Sequence, residues 1–123
     1  MLEIIEEIKA GLDSFPGTLI VKKDDFGIKV SLRNEETYTV SIRLLPHDET
    51  MRIVDNVEPM KNDYTRPKEL NNHIDILDAV IYIMSKNDVI RENISGVTID
   101  GDHKSCEAIF MHKNQDSYLI SIR

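Results

Sequence analysis

The spacing of apolar side chains changes from a helical to a strand period twice along this chain. Residues 1–12 carry apolar side chains every three or four positions, at Leu2, Ile5, Ile8 and Leu12. This spacing predicts an amphipathic helix whose apolar stripe packs against another surface. Pro16 and Gly17 follow and favour a turn that ends the helix.

From Thr18 onward, apolar and polar residues alternate with a period of two. FGIKVSLR (26–33) and TYTVSIRLL (37–45) alternate in this way, TLIVKK (18–23) precedes them, and short acidic turns separate the three segments. Such alternation predicts an antiparallel meander with one packed face and one wet face. A weaker segment, TMRIV (50–54), is predicted to add a further strand.

A second helix is predicted over residues 68–85, which have the longest helical pattern in the chain. Thr65 is its predicted N-cap, Pro67 lies in its predicted first turn, and SKND (85–88) is its predicted stop. Three further strands follow, as SGVTID (95–100), CEAIFMH (106–112) and SYLISIR (117–123). The helix stripe consists of Leu70, Ile74, Leu77, Ile81 and Met84.

The element order α-βββ(β)-α-βββ predicts a single α+β domain over residues 1–123. It has an antiparallel sheet of six or seven strands, with two helices on the apolar face. RNEETYTVSIR (33–43) returns as KNQDSYLISIR (113–123), so residues 1–54 and 67–123 resemble quasi-repeats. Two readings stay open, internal duplication and two independent hairpins, because turn and strand propensities favour the same residue types.

The repeat predicts which side chains of the second half face the helices, and it reveals a difference on the other face. The predicted inward residues are Cys106, Ala108, Phe110, Tyr118, Ile120 and Ile122. The polar outward residues Lys29, Ser31 and Thr39 correspond to the apolar Ile109, Met111 and Leu119. Leaving such side chains exposed forgoes about 1.5–3 kcal/mol each, so we expect them to be covered. Residues 43–54, a second protomer and a different protein are three candidates for the cover.

Charge narrows the classes of partner. The 123 residues have a formal net charge of -7, which disfavours binding to nucleic acid or anionic lipid and favours a basic partner. The longest apolar runs fall short of the roughly 18 residues of a membrane span, and the acidic start differs from a secretory signal. The single cysteine suits a reducing compartment. These features predict a cytoplasmic protein.

The candidate catalytic and metal-binding motifs are weak. A calcium loop starting at Asp100 in DGDH would need a glutamate at position 111, where the chain has Met111. His47 in PHDE has no nucleophile marked out nearby, and Cys106 is predicted to face inward. Neither glycine-rich phosphate-loop pattern occurs. We therefore expect no metal, no cofactor and no catalytic residue.

The second helix offers one polar stripe that is a candidate for binding. Asp75, Asp78 and Tyr82 share its polar side. Paired carboxylates can perform acid and base work, but amphipathicity alone also explains polar residues opposite an apolar stripe. We read this stripe as a candidate surface for docking a basic partner.

Together these observations predict a small acidic non-enzymatic protein that binds a protein partner and inhibits, neutralises or regulates it. Immunity proteins and virus-encoded inhibitors of host defence act in this manner. The partner is expected to have a basic or an apolar docking surface. The residues of this chain that are predicted to contact the partner are Ile109, Met111, Leu119, Asp75, Asp78 and Tyr82.

Two alternatives remain. The order helix, strands, helix, strands in an acidic chain of this size is similar to that of type III secretion chaperones. This resemblance implies a homodimer that binds an extended segment of an exported client. The other alternative is an enzyme or small-ligand binder that uses a cleft between sheet and helices.

Overall fold

The fold, within the residues that the structure describes, consists of six strands and three helices. The computed structural model describes residues 2–24, 27–46, 48, 58–61, 63–101, 106–112 and 117–123. In chain order the elements are α1 (Leu2–Asp13), β1 (Thr18–Asp24), β2 (Gly27–Leu32), β3 (Thr37–Leu44), α2 (His73–Lys86), α3 (Asp88–Asn93), β4 (Ile94–Gly101), β5 (Cys106–His112) and β6 (Ser117–Ile122). The predicted α+β class is confirmed.

All six strands lie in one antiparallel sheet with the order β1-β2-β3-β6-β5-β4. Each half of the chain forms a meander, and the two meanders join where β3 pairs with β6. On one face, α1 packs against β1 and β2, and α2 packs against β5 and β6. The helices and the sheet share a single apolar core. Its residues with no exposed surface include Ile8, Leu12, Ile28, Val30, Leu32, Val40, Ile76, Leu77, Phe110 and Ile120.

The inward positions predicted from the repeat hold for the second half. Cys106, Ala108, Phe110, Ile120 and Ile122 are buried, and Tyr118 is half-buried. Alternation along a strand sends these side chains to the face that the helices cover.

The second helix begins later than predicted. Asn72, not Thr65, is its N-cap, and its side chain accepts a hydrogen bond from the Asp75 backbone N–H at 2.9 Å. Leu70 is buried although it precedes the helix, and its backbone N–H donates to the Pro16 carbonyl oxygen at 3.0 Å. An apolar residue of the preceding loop therefore extended the helical pattern beyond the helix itself.

A short third helix, α3, was not predicted. The predicted stop is confirmed, since α2 ends at Lys86. The Asn87 side chain then accepts from the Ile90 backbone N–H at 3.0 Å and caps a new helix, which buries Ile90. A six-residue helix is too short to show a clear apolar period, so the sequence pattern missed it.

The two meanders repeat the same strand registers. In the β2–β3 pair Ile28 lies opposite Val40, and eighty residues later Ala108 lies opposite Ile120. The outer pairs also correspond, with β4 displaced by 76 residues from β1. The β1 register shifts between Thr18 and Ile20, and the β4 register shifts at the equivalent place, between Ile94 and Gly96. The similarity therefore extends beyond the repeated hairpin to a matching β-bulge in the first strand.

Equivalent residues also meet where the meanders join. Ser41 pairs with Ser121, its counterpart at the eighty-residue spacing, and the neighbouring pairs are arranged symmetrically around it. The sheet centre thus has a local two-fold relation between the halves. The predicted strand at residues 50–54 lies outside the described residues.

Candidate functional site

Asp75, the first residue of the polar stripe of α2, takes part in capping the N-terminus of the helix. Asp75 accepts a hydrogen bond from the Asn71 backbone N–H at 2.9 Å, while its own N–H donates to Asn72. This reciprocal arrangement satisfies two backbone donors that have no partner within the helix. Asp75 is half-buried, so its main role in the structure is capping.

Asp78 lies one turn further along α2 and is exposed. Partial burial raises the pKa of its carboxyl group above the ordinary value of 3.8, and the neighbouring charge of Asp75 raises it further. Both effects disfavour the ionised form, because the carboxylate loses water and meets a like charge. The ionised carboxylate of Asp78, next to that of Asp75, therefore lowers the stability of the folded protein slightly.

Asp78→Asn is expected to increase stability at pH 7 by up to about 0.5 kcal/mol, a small value because water screens an exposed carboxylate. The folded state has the higher pKa, so it is the state that protonation stabilises. The gain is therefore complete above the raised pKa and disappears as the pH falls below 3.8. Urea unfolding at pH 7 and pH 3 measures both values.

Asp88→Asn is the matched control for this prediction. Asp88 is paired with Arg91 at 2.8 Å, so its loss is expected to destabilise the protein at pH 7. An equal gain from Asp78→Asn at both pH values would contradict the electrostatic explanation.

A shallow cleft lies between α1 and α2 next to the third candidate of the stripe, Tyr82. Its volume is about 270 Å³, and Arg66 and Lys86 contribute the positive charges of its lining. The Arg66 guanidinium lies over the Phe15 ring at 4.3 Å, and Phe15 meets Tyr82 edge to face at 6.4 Å. Arg66 was not predicted as a site residue, because nothing in the loop sequence shows that it reaches an aromatic ring.

This cleft is a weak candidate for ligand binding. Its volume lies just below the range of about 300–1,000 Å³ that is typical of small-molecule pockets. Its aromatic and cationic groups already stabilise one another through cation–π and edge-to-face contacts. Among the described residues, no buried side-chain nitrogen or oxygen lacks a hydrogen-bond partner. The cleft is therefore better explained as packing between two helices and a loop.

The face of the sheet opposite the helices carries the other three predicted contacts. Met111 is only 6% exposed, so the single chain covers it and leaves it unavailable for docking. Ile109 and Leu119 lie opposite each other in the β5–β6 pair and are half-buried. In the next strand Arg43 lies opposite Leu119 and is exposed. The accessible part of the predicted patch is thus the Ile109–Leu119 pair, with Arg43 at its side.

A burial gradient crosses this outer face. Leu45 is buried, and its backbone N–H donates to the Ser117 carbonyl oxygen at 2.9 Å. Ser117 in turn lies opposite Met111, so Leu45, Ser117 and Met111 form one buried row. The Ile109–Leu119 pair lies in the adjacent row and is only half covered. The chain therefore buries the first row and covers the second row only in part.

The equivalent surface in the first half is polar and positively charged. Lys22 and Lys29 lie opposite each other, and both are exposed. Thr39 lies opposite Lys29, and its backbone exchanges two hydrogen bonds with Arg123. In an acidic chain, this row of two lysines and an arginine is a local concentration of positive charge. The sequence did not reveal it, because Arg123 is far along the chain from the two lysines.

The other residues that the sequence analysis considered for catalysis or metal binding are Cys106, His47 and the residues of the DGDH motif. Cys106 is buried, and its thiol donates to the His73 carbonyl oxygen at 3.2 Å, which is the contact of a core residue. No group of three or more metal-ligating side chains occurs within the described ranges. His47, Asp102 and His103 lie outside the described residues.

Comparisons with known proteins found no matching family model, no matching curated protein and no matching solved structure. Of the helices that the structure describes, none is both long enough and apolar enough to cross a membrane. The functional argument therefore rests on the surface chemistry of this chain alone.

Proposed function

We propose that this chain is a small non-enzymatic protein-binding module that inhibits, neutralises or regulates a protein partner. The observation that carries the proposal is the half-buried Ile109–Leu119 pair on the sheet face opposite the helices. At the same register positions the first half has Lys29 and Thr39. A wet sheet face normally has such polar residues, so the apolar pair calls for a function outside the fold.

The partner docks with an apolar surface on Ile109 and Leu119. Full burial of an aliphatic side chain contributes about 1.5–3 kcal/mol, so completing the burial of two half-covered side chains supplies roughly 1 kcal/mol each. Arg43 lies beside the pair and offers a bidentate donor to a carboxylate at the rim of the partner surface. Apolar centres with polar rims are typical of protein interfaces.

A double substitution tests this proposal. Ile109→Lys with Leu119→Thr places on the second half the residues that the first half already has at the same register. The variant is expected to fold as the wild type does, since Lys29 and Thr39 occupy the equivalent strands. We expect partner capture from native host lysate, quantified by mass spectrometry, to fall at least tenfold, because about 2 kcal/mol of burial is lost.

The matched control is the reverse exchange in the first half, Lys29→Ile with Thr39→Leu, which is expected to leave capture unchanged. The purified partner then gives a direct test, because the wild-type chain should alter its activity and the double variant should not. A folded double variant that captures the same proteins at wild-type levels would overturn the proposal. A dimeric mass in solution, with an exported protein as the captured client, would favour the secretion-chaperone alternative instead.

A further inference from the structure

The two edges of the sheet differ in their backbone partners. At the β4 edge, Glu58 and Val97 exchange two hydrogen bonds: the Glu58 N–H donates to the Val97 oxygen at 3.0 Å, and the Val97 N–H donates to the Glu58 oxygen at 2.7 Å. At the β1 edge, no described segment makes such a bridge. Within the described residues, one edge of a sheet built from two equivalent meanders is therefore occupied, and the other is open.

The occupied edge shows how the open edge can be used. Val97 corresponds to Val21 at the 76-residue spacing set by the two bulges. Val21 also presents its backbone outward. The Leu32 N–H donates to Glu36, so alternate residues of β2, including Val30, direct their backbone groups toward β3. Val21 lies opposite Val30, and its N–H and C=O therefore point away from the sheet.

From residue 19 to residue 23, the side chains of β1 are apolar or positively charged, and the acidic Glu6 of α1 lies beside them. Lys22 and Lys23 follow Val21 in β1, and Lys22 lies opposite Lys29. Lys23 forms an ion pair with Glu6 of α1 at 3.2 Å. Before Val21, Leu19 and Ile20 are 61% and 48% exposed. This edge combines free backbone hydrogen-bonding groups, apolar surface and a cluster of lysines.

The positive charge of the β1 edge favours one of two possible binding partners, a second copy of this chain or an acidic strand of another protein. Pairing two β1 edges from two copies of this chain would bring four strand lysines together, and lysines on edge strands oppose such self-pairing. An acidic strand would instead place a carboxylate beside Lys22 of β1, and opposite charges on neighbouring strands attract. The edge thus favours a foreign acidic strand over a second copy.

We propose that β1 is a docking edge for an extended acidic segment of a partner protein, which adds to the sheet as an antiparallel strand. The inference rests on the proposed protein-binding function and specifies a second contact for it. The Glu58–Val97 bridge is the internal example of the pairing direction. Side chains alternate along an added strand, so an acidic residue lies opposite Lys22 on the outer face, and an apolar residue lies opposite Val21 toward α1.

Two short synthetic peptides test this docking edge by NMR titration of the full-length, ¹⁵N-labelled protein. One peptide alternates valine and glutamate, and the other has lysine in place of each glutamate. The acidic peptide is expected to shift the backbone amide signals of Val21 and Lys23 and to bind more tightly than the lysine peptide. Lys22→Glu is expected to weaken the acidic peptide about fivefold to tenfold and to improve binding of the lysine peptide.

Lys68→Glu is the matched control, because it makes the same charge change at an exposed residue of the loop before α2. It is expected to leave both affinities unchanged. The proposal is overturned if the acidic peptide shifts no β1 amide, or if the two variants weaken its binding equally. It is also overturned if the β1 amides shift on self-association of the protein alone, because the occupant is then a second copy.

This test can fail independently of the test of the proposed function. The peptide titration reports on β1, whereas the capture experiment reports on the Ile109–Leu119 pair of β5 and β6. Absence of peptide binding together with capture that depends on Ile109 and Leu119 would reject only the docking edge. Peptide binding at β1 with no effect of the double substitution on capture would reject only the apolar patch.

Discussion

Phe110→Ala is expected to lower the free energy of unfolding by about 3–5 kcal/mol, one of the two largest effects that we predict for a single substitution. Phe110 has no exposed surface and lies in β5, opposite Val97 on one side and Tyr118 on the other. Removing its ring leaves a cavity in the core that neighbouring strands cannot fill without breaking their register. Domains have a total stability of about 5–15 kcal/mol, so this loss is a large share of it.

Urea unfolding measures this loss, and Ile109→Ala is its control. Ile109 is the preceding residue of β5 but lies half-buried on the opposite face. Its truncation is expected to cost about 1 kcal/mol, since much less apolar area is removed from burial. Equal losses for the two variants would contradict the assignment of the two faces and, with it, the outward position of the proposed docking patch.

The sequence was most informative about the strands. The strand patterns and turn signals located the six described strands to within a residue or two, and the repeat correctly assigned Ala108, Phe110 and Ile120 to the core face. The signal is strong because one face packs and the other is wet, so the two kinds of residue alternate. The helices were less well defined, because Leu70 and Ile90 are buried by loop and short-helix contacts that follow no long period.

The arrangement of the strands was not available from sequence. Local alternation predicts each meander, but the pairing of β3 with β6 is a contact between distant segments that leaves no period in the chain. The same limit applied to the outer face. The apolar character of residues 109, 111 and 119 was visible, yet the sequence could not show that the chain buries Met111 and leaves Ile109 and Leu119 half covered.

The two-fold relation between the meanders helps to explain how function arises in this fold. The shared registers make both halves equivalent scaffolds, so their differences are confined to side chains, to loops and to what occupies each edge. The second half has an apolar outer face and an occupied edge at Val97. The first half has a basic outer face, and no described segment pairs with its edge at Val21. The proposed contacts therefore divide between an apolar surface on one half and an acidic strand on the other.

The loops that close the outer hairpins differ in length, and the shorter loop is followed by a glycine with a positive φ. Asp24 lies opposite Gly27 in the first hairpin, and the equivalent pair in the second is Asp100 opposite Glu107. The second hairpin therefore has four more residues between its paired positions. Gly27 has a φ of 135°, and a Cβ added there would collide with the Val40 carbonyl oxygen. Glu107, by contrast, has a side chain at the equivalent position.

Gly27→Ala is expected to destabilise the protein by about 3 kcal/mol, because a non-glycine residue at this φ is strained and its Cβ collides with backbone rather than with a flexible side chain. If the short connection imposes this conformation, a longer one should relieve it. Replacing residues 25 and 26 with the sequence of residues 101–106, with serine in place of Cys106, gives the first hairpin the length of the second. In the lengthened variant, Gly27→Ala is expected to lower the free energy of unfolding by less than about 1 kcal/mol. Urea unfolding measures this difference, and the reference is the lengthened variant that retains Gly27. A full loss in both backgrounds would show that the approach of β3, and not the length of the loop, requires glycine at this position.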